Sequence, residues 1–86
     1  MEVKKKVWSK FFEAILSGKK KFELHLADFE VKEGDVLVLE EWDPETNNYT
    51  GRKISKKVGY VVKTKGQKFW KEEDVENYGY QIIGFV

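Results

Sequence analysis

From Gly18 to His25 the chain reads Gly-Lys-Lys-Lys-Phe-Glu-Leu-His, its densest run of side chains able to do chemistry. Lys19, Lys20 and Lys21 follow the glycine. Phe22, Leu24 and Leu26 then alternate with Glu23 and His25. A strand of that period offers one face to a core and displays on the other a carboxylate beside the only histidine of the chain. Lys20 has two chemistries open to it: a phosphate contact, or a desolvated amine acting as base or nucleophile. The plainer alternative is a solvated lysine that complements a helix C-terminus. Glu23 could orient Lys20, accept from a base amino group, or form a cross-strand ion pair. His25 is either a donor to phosphate or a partly exposed strand residue, and it lacks the bidentate fork of arginine.

A second basic run follows at Arg52, Lys53, Lys56 and Lys57. On a strand it would place Arg52 and Lys56 on one face and Lys53 and Lys57 on the other. Lys63, Lys65 and Lys68 then lead into Phe69-Trp70-Lys71. Cations interleaved with exposed rings suit single-stranded nucleic acid, whose bases stack on aromatics, whereas buried rings would complete a core. Trp8 and Trp42 read as packing residues. No glycine pattern of a nucleophile elbow surrounds Ser9, Ser17 or Ser55, and no phosphate-binding loop is spaced correctly around Gly18. Glu40-Glu41 and Glu72-Glu73 are adjacent pairs, which on a strand point apart and give no acid–base couple. With one histidine and no cysteine, neither a metal site nor a disulfide is expected, and no cofactor is implied.

These residues need elements to hold them. A first strand is predicted over Val3–Val7. Ser9 is placed to N-cap a helix whose Phe11, Phe12, Ile15 and Leu16 share one side, with Gly18 as the stop. Further strands are predicted over Lys21–Leu26 and, after a polar turn at Asp28–Asp35, over Val36–Trp42. The last of these opens with a continuous apolar run that implies burial on both faces. Asp43–Asn48 reads as a loop with asparagines suited to left-handed geometry, and Tyr49–Val62 as a returning strand bent near Gly51 and Gly59. Residues 63–77 are the least regular, with a short helix within Glu72–Tyr78. Tyr80–Val86 reads as a closing strand.

Length allows one domain over residues 1–86, with on the order of 60% of the unfolded surface buried on folding. The 13 aromatics would supply much of that burial. Charge is sorted along the chain. Residues 1–21 carry seven lysines against two acids, 22–51 nine acids against one lysine, 52–71 eight bases and no acid, and 72–86 four acids. Such blocks could build a basic face despite a net charge of +1, or basic and acidic strands could lie side by side and neutralise each other. The N-terminal residues lack a signal peptide's apolar run, and no stretch reaches the roughly 18 apolar residues of a membrane span. A cytoplasmic, monomeric protein is the expectation. Abundant charge, few amides and a lone Met resemble a heat-adapted composition.

The segment Gly18-Lys19-Lys20-Lys21-Phe22-Glu23-Leu24-His25 resembles the G-x-K-x-x-E-x-R signature of the ASCH (activating signal cointegrator homology) domain. Gly18, Lys20 and Glu23 match, and His25 stands where the family has arginine. The likeness runs on through Val36–Trp42, through Trp42–Thr46 with Tyr49-Thr50-Gly51-Arg52, and into Gly79–Gly84. It covers most of the chain except residues 63–78. Together these segments resemble a short prokaryotic and phage ASCH-related subfamily. The resemblance implies an α+β, PUA-like mixed β-barrel of about five to six strands with one early helix packed against it. It also implies a cleft between helix and barrel that binds RNA or a modified nucleoside. Lys19, Lys20, Glu23, His25, Arg52, Lys53 and Lys56 are the binding residues expected on this reading. Some ASCH members are nucleoside amidohydrolases, which would make Lys20 and Glu23 catalytic. In the amidohydrolase pattern, however, a threonine stands at the position of Glu23. A non-catalytic protein-interaction module is the third reading.

Overall fold

The apolar run at residues 36–39 makes its strand the one flanked on both sides. A computed structural model describes residues 1–86. Its elements are β1 (Glu2–Trp8), α1 (Ser9–Leu16), β2 (Val36–Asp43), β3 (Asn48–Lys57) and α2 (Glu72–Tyr78). β2 lies at the centre of a three-stranded sheet ordered β1-β2-β3. β1 runs parallel to it, with Val3 beside Leu37 and Val7 beside Glu41. β3 runs antiparallel, with Leu39 beside Ile54 and Asp43 beside Asn48. Val38 and Leu39 are both buried although successive strand residues point to opposite faces, as the continuous apolar run requires.

One face of the sheet carries α1. Phe12 and Ile15 from the helix meet Val7 and Leu39 in the core, and Leu37 and Ile54 pack around them. Burying a side chain such as Phe12 contributes about 1.5–3 kcal/mol. The helix begins differently from the expectation. Trp8, still extended at the end of β1, occupies the N-cap position without a side-chain cap bond, and Ser9 is the first helical residue. The chain passes directly from strand to helix, and the Ser9 hydroxyl donates to the Trp42 carbonyl on β2 at 3.4 Å. At the other end Gly18 stops the helix as expected. Its φ of +83° is left-handed, a conformation that costs other L-residues about 1–2 kcal/mol. The amide of Lys20 then donates back to the Ala14 carbonyl at 2.9 Å, which fixes the start of the segment that follows.

The expected five-to-six-strand PUA-like barrel is not what this chain forms. Its sheet has three strands in mixed order and is open, accompanied by two short helices. Residues 21–26 and 80–86 join no ladder despite their alternating patterns, and β3 ends at Lys57 rather than at Val62. Beyond Lys57 the backbone turns to the 32–35 turn. There Val58 donates to the Asp35 carbonyl and Gly34 to the Val58 carbonyl, both at 2.8 Å. A strand whose next residues bond to a turn cannot extend around a barrel. Leu24 and Leu26 are 72% and 81% exposed, so the alternation at 22–26 is not matched to a buried face. The Cα radius of gyration is 14.7 Å, against about 12 Å for a compact chain of this length.

The open sheet accounts for the sorting of charge. β1 and β3 are its two edges, and they carry Lys4, Lys5 and Lys6 on one side and Lys53, Lys56 and Lys57 on the other. Edge lysines discourage pairing with further strands. On the central strand Glu40 lies in register between Lys6 and Lys53, so part of the basic charge is balanced across the ladder.

Candidate functional site

The helix stop at Gly18 and the backbone bond of Lys20 to α1 aim the next five residues into a cleft. The cleft has a volume of about 830 Å3. It is bounded by the end of α1, the 20–31 segment, the end of β3 with the residues after it, and residues 83–85. Small-ligand sites are commonly of this size and of this largely apolar character.

Lys20, Glu23 and His25 line the cleft and meet in one cluster. The Lys20 ammonium donates to Glu23 Oε1 at 2.5 Å and to the Phe22 carbonyl at 2.7 Å. Glu23 Oε2 lies 2.8 Å from His25 Nε2. An ionised carboxylate only accepts, so Nε2 donates, and in the neutral ring Nδ1 is left as an acceptor. The Lys20 ammonium has three donors and uses two of them here. The cluster therefore presents one ammonium proton, spare carboxylate lone pairs and one imidazole acceptor. Aromatic rings hold its members in place. Lys20 Nζ lies 4.7 Å from the centre of the Phe22 ring, and His25 meets Phe29 edge-on at 6.0 Å. The side chains of Lys20, Glu23 and His25 are 15%, 14% and 22% exposed, so all three are partly desolvated yet reachable. Glu23 and His25 are two side chains of metal-binding type, and no group of three or more such side chains is present.

The remaining sequence candidates divide. Lys56 lines the cleft, as do its neighbour Lys57 and also Lys21. Lys19 is exposed and does not line it. Lys53 lies in register with Glu40 on the sheet. Arg52 is held elsewhere, by the carboxylate of Glu41. Glu41 is 3% exposed on the helix-covered face of β2, beside Val7. Arg52 Nε donates to Glu41 Oε1 at 2.8 Å and Nη2 to Oε2 at 2.9 Å. The same guanidinium pairs with Glu13 on α1 and lies 5.1 Å from the centre of the Phe12 ring. Thr50 Oγ1 completes the set by donating to Glu41 Oε1 at 2.5 Å.

A bulge makes this possible. The register shifts between Glu40 and Trp42, so Thr50, Gly51 and Arg52 together stand opposite Glu41. Gly51 has φ +93°, and this left-handed residue lets Thr50 and Arg52 reach the same carboxylate. Hydrogen bonds from Arg52 and then from Thr50 lower the Glu41 carboxyl to about pH 2 on the pKa scale, against the resistance of burial. The bonds that Arg52 donates to Glu41 and then to Glu13 raise its guanidinium in turn. The signal was present in the sequence. The period-2 set Leu37, Leu39, Glu41 puts an acid on the core face, where it needs a cation, and Arg52 is the only arginine.

A model of the family described as a domain of unknown function, DUF3850, matches residues 3–85. The chain belongs to the DUF3850 family. It is also similar to the uncharacterized 12.9 kDa protein in the GpA 3′ region of Escherichia phage P2, with 36% identity over 57 residues. That alignment covers 66% of this chain and 50% of the phage protein, so the DUF3850 chain spans about half the length of this relative. No solved structure gives a significant match. No helix is long and apolar enough to cross a membrane.

Proposed function

We propose that the cleft binds a modified nucleoside, free or within RNA, and that Lys20, Glu23 and His25 are its polar contacts. The observation that carries this reading is the convergence of these three side chains in a mostly apolar cleft of about 830 Å3. A nucleobase has two apolar faces and an edge of mixed donors and acceptors. The cleft supplies apolar walls, and the cluster supplies one cationic donor, a carboxylate and an imidazole acceptor at nearby positions. Lys21, Lys56 and Lys57 on the rim suit the phosphates of a nucleotide or of an RNA chain. The likeness of Gly18, Lys20 and Glu23 to the ASCH signature points the same way, and the cysteine-free composition fits a cytoplasmic setting.

Amide chemical shifts read during titration with short RNAs and modified nucleosides test the reading. Shifts centred on residues 18–25, and at least a tenfold loss of affinity in Lys20→Ala or Glu23→Gln, are expected, since hydrogen bonds to charged groups are worth about 1.5–3 kcal/mol. Unchanged spectra with every nucleoside and RNA would end it. RNA binding that is no tighter at 50 mM than at 200 mM salt would remove the rim lysines from the account.

One observation favours a catalytic variant of this reading. The Lys20 ammonium sits 2.5 Å from a carboxylate within a cleft, an arrangement in which Glu23 can take a proton from a water attacking the acyl carbon while Lys20 gives one to the departing nucleoside amine, the acyl group leaving as a carboxylic acid. Turnover of an acylated nucleoside that survives undiminished in Lys20→Ala excludes it.

A further inference from the structure

We propose that the 65–80 segment, away from the cleft, is a stacking platform for single-stranded nucleic acid. Sequence leaves Phe69 and Trp70 two roles, and the structure removes one: they are 60% and 64% exposed, and neither belongs to the core. They stand together all the same. The Phe69 and Trp70 ring centres are 5.8 Å apart with planes at 67°. Tyr80, brought back by the turn at Gly79 after α2, places a third ring 6.1 Å from Trp70 at 58°. Tyr80 is itself 55% exposed. Three adjacent rings with free faces are costly to leave in water unless something stacks on them.

The surrounding charge selects the occupant. Lys65, Lys68 and Lys71 take part in no ion pair, whereas Lys63 is drawn to Glu30 at 3.7 Å. From Lys63 to Lys71 the chain holds no aliphatic residue other than the turn glycine, only lysines, rings, Thr64 and Gln67. The exposed aliphatics Ile82 and Ile83 follow Tyr80 outside this lysine-bearing run, so the charge around Phe69 and Trp70 is what singles them out. Rings framed by cations match an unpaired strand, with bases on the rings and phosphates on the ammonium groups. The acids Glu72, Glu73, Asp74 and Glu76 of α2 stand between Lys71 and Tyr80 in the chain, so the basic footprint is that of Lys65, Lys68 and Lys71 alone. This proposal does not depend on the cleft binding a nucleoside.

The test is fluorescence anisotropy with labelled 12-nucleotide oligothymidine and oligouridine and with a duplex of matched length. Single strands are expected to bind, with a salt slope of about −2 from three lysine–phosphate contacts. Trp70→Ala is expected to weaken binding about tenfold. Lys65→Ala with Lys68→Ala should flatten the slope to about −0.7. Lys4→Ala, an exposed β1 lysine that does not line the cleft, should leave oligonucleotide affinity unchanged, which shows that the losses are not those of removing any one charge. DNA and RNA arms show whether the sugar is read. The proposal fails if neither oligonucleotide binds at 50 mM salt, if the duplex binds as tightly, or if Trp70→Ala with unchanged circular dichroism binds like the parent chain.

Discussion

Glu41 and Glu23 are both acids held by basic and polar neighbours, yet they stand in opposite relations to the fold and to solvent. Glu41 sits on a ladder residue beneath α1, and its partners Thr50 and Arg52, the latter also paired with Glu13, come from a strand already fixed in the sheet. Glu23 sits on a segment that joins no sheet, and its partners Lys20 and His25 lie within three residues of it. The first cluster links elements distant in sequence around a buried carboxylate. The second is local, links nothing distant and opens on a cleft. The difference teaches that a cation–carboxylate pair is read by what its members connect, because an identical distance can mark a structural tie or a receptive site.

Variants can break that distinction, and the largest effect is expected beneath the Glu41 cluster. Phe12→Ala removes the ring on which the Arg52 guanidinium rests and leaves a core cavity, so a loss of about 3–5 kcal/mol is expected from urea unfolding. Glu41→Gln should come next, lowering the urea midpoint by less than Phe12→Ala but more than any exposed acid would. Acid sharpens the same point. The Glu41 carboxyl is lowered in the folded state to about 2 from 4.5. Its contribution is therefore complete above pH 4.5 and drains away as pH falls toward 2, and in Glu41→Gln that part of the acid transition should vanish. Gly51→Ala forces a Cβ into a left-handed residue of the bulge, with an expected cost of about 1–2 kcal/mol, readable as a lower melting temperature. Glu23→Gln should be the mildest, about 1 kcal/mol or less in stability, while ligand affinity falls. If the Glu23 and Glu41 variants unfold at the same urea concentration, the contrast between tie and site is lost.

Local signals were legible where local rules decide the outcome. The apolar face of α1, the stop at Gly18, the buried run of β2, the loop after Asp43 and the helix at Glu72–Tyr78 all follow from periodicity and turn chemistry. What could not be read was whether a strand-like pattern finds a partner. Residues 22–26 alternate as well as β3 does, but no neighbouring strand is available to them, and the alternation serves to set Glu23 and His25 on one side with Lys20. The closing segment 80–86 fails for the same reason. At the candidate site, residue types singled out 18–25, but the convergence of Lys20, Glu23 and His25 needed the backbone bond between Lys20 and Ala14, which no composition reveals. Arg52 was legible as a cation but not as the partner of Glu41, because the bulge that delivers it there depends on pairing between β2 and β3.

The parallel pairing of β1 with β2 has a kinetic consequence. β2 and β3 are joined by a four-residue turn with Asn47 at φ 56°, so their pairing is a local event. β1 must find a strand that begins at Val36, and closing that contact encloses residues 9–35, the whole stretch that carries Lys20, Glu23 and His25. Long closures cost entropy before any contact rewards them. We therefore expect the hairpin to form early and the cleft last, so that pulse-labelled hydrogen exchange finds amides of residues 48–57 protected before that of Lys20. Protection of Lys20 in the earliest phase would reverse the order.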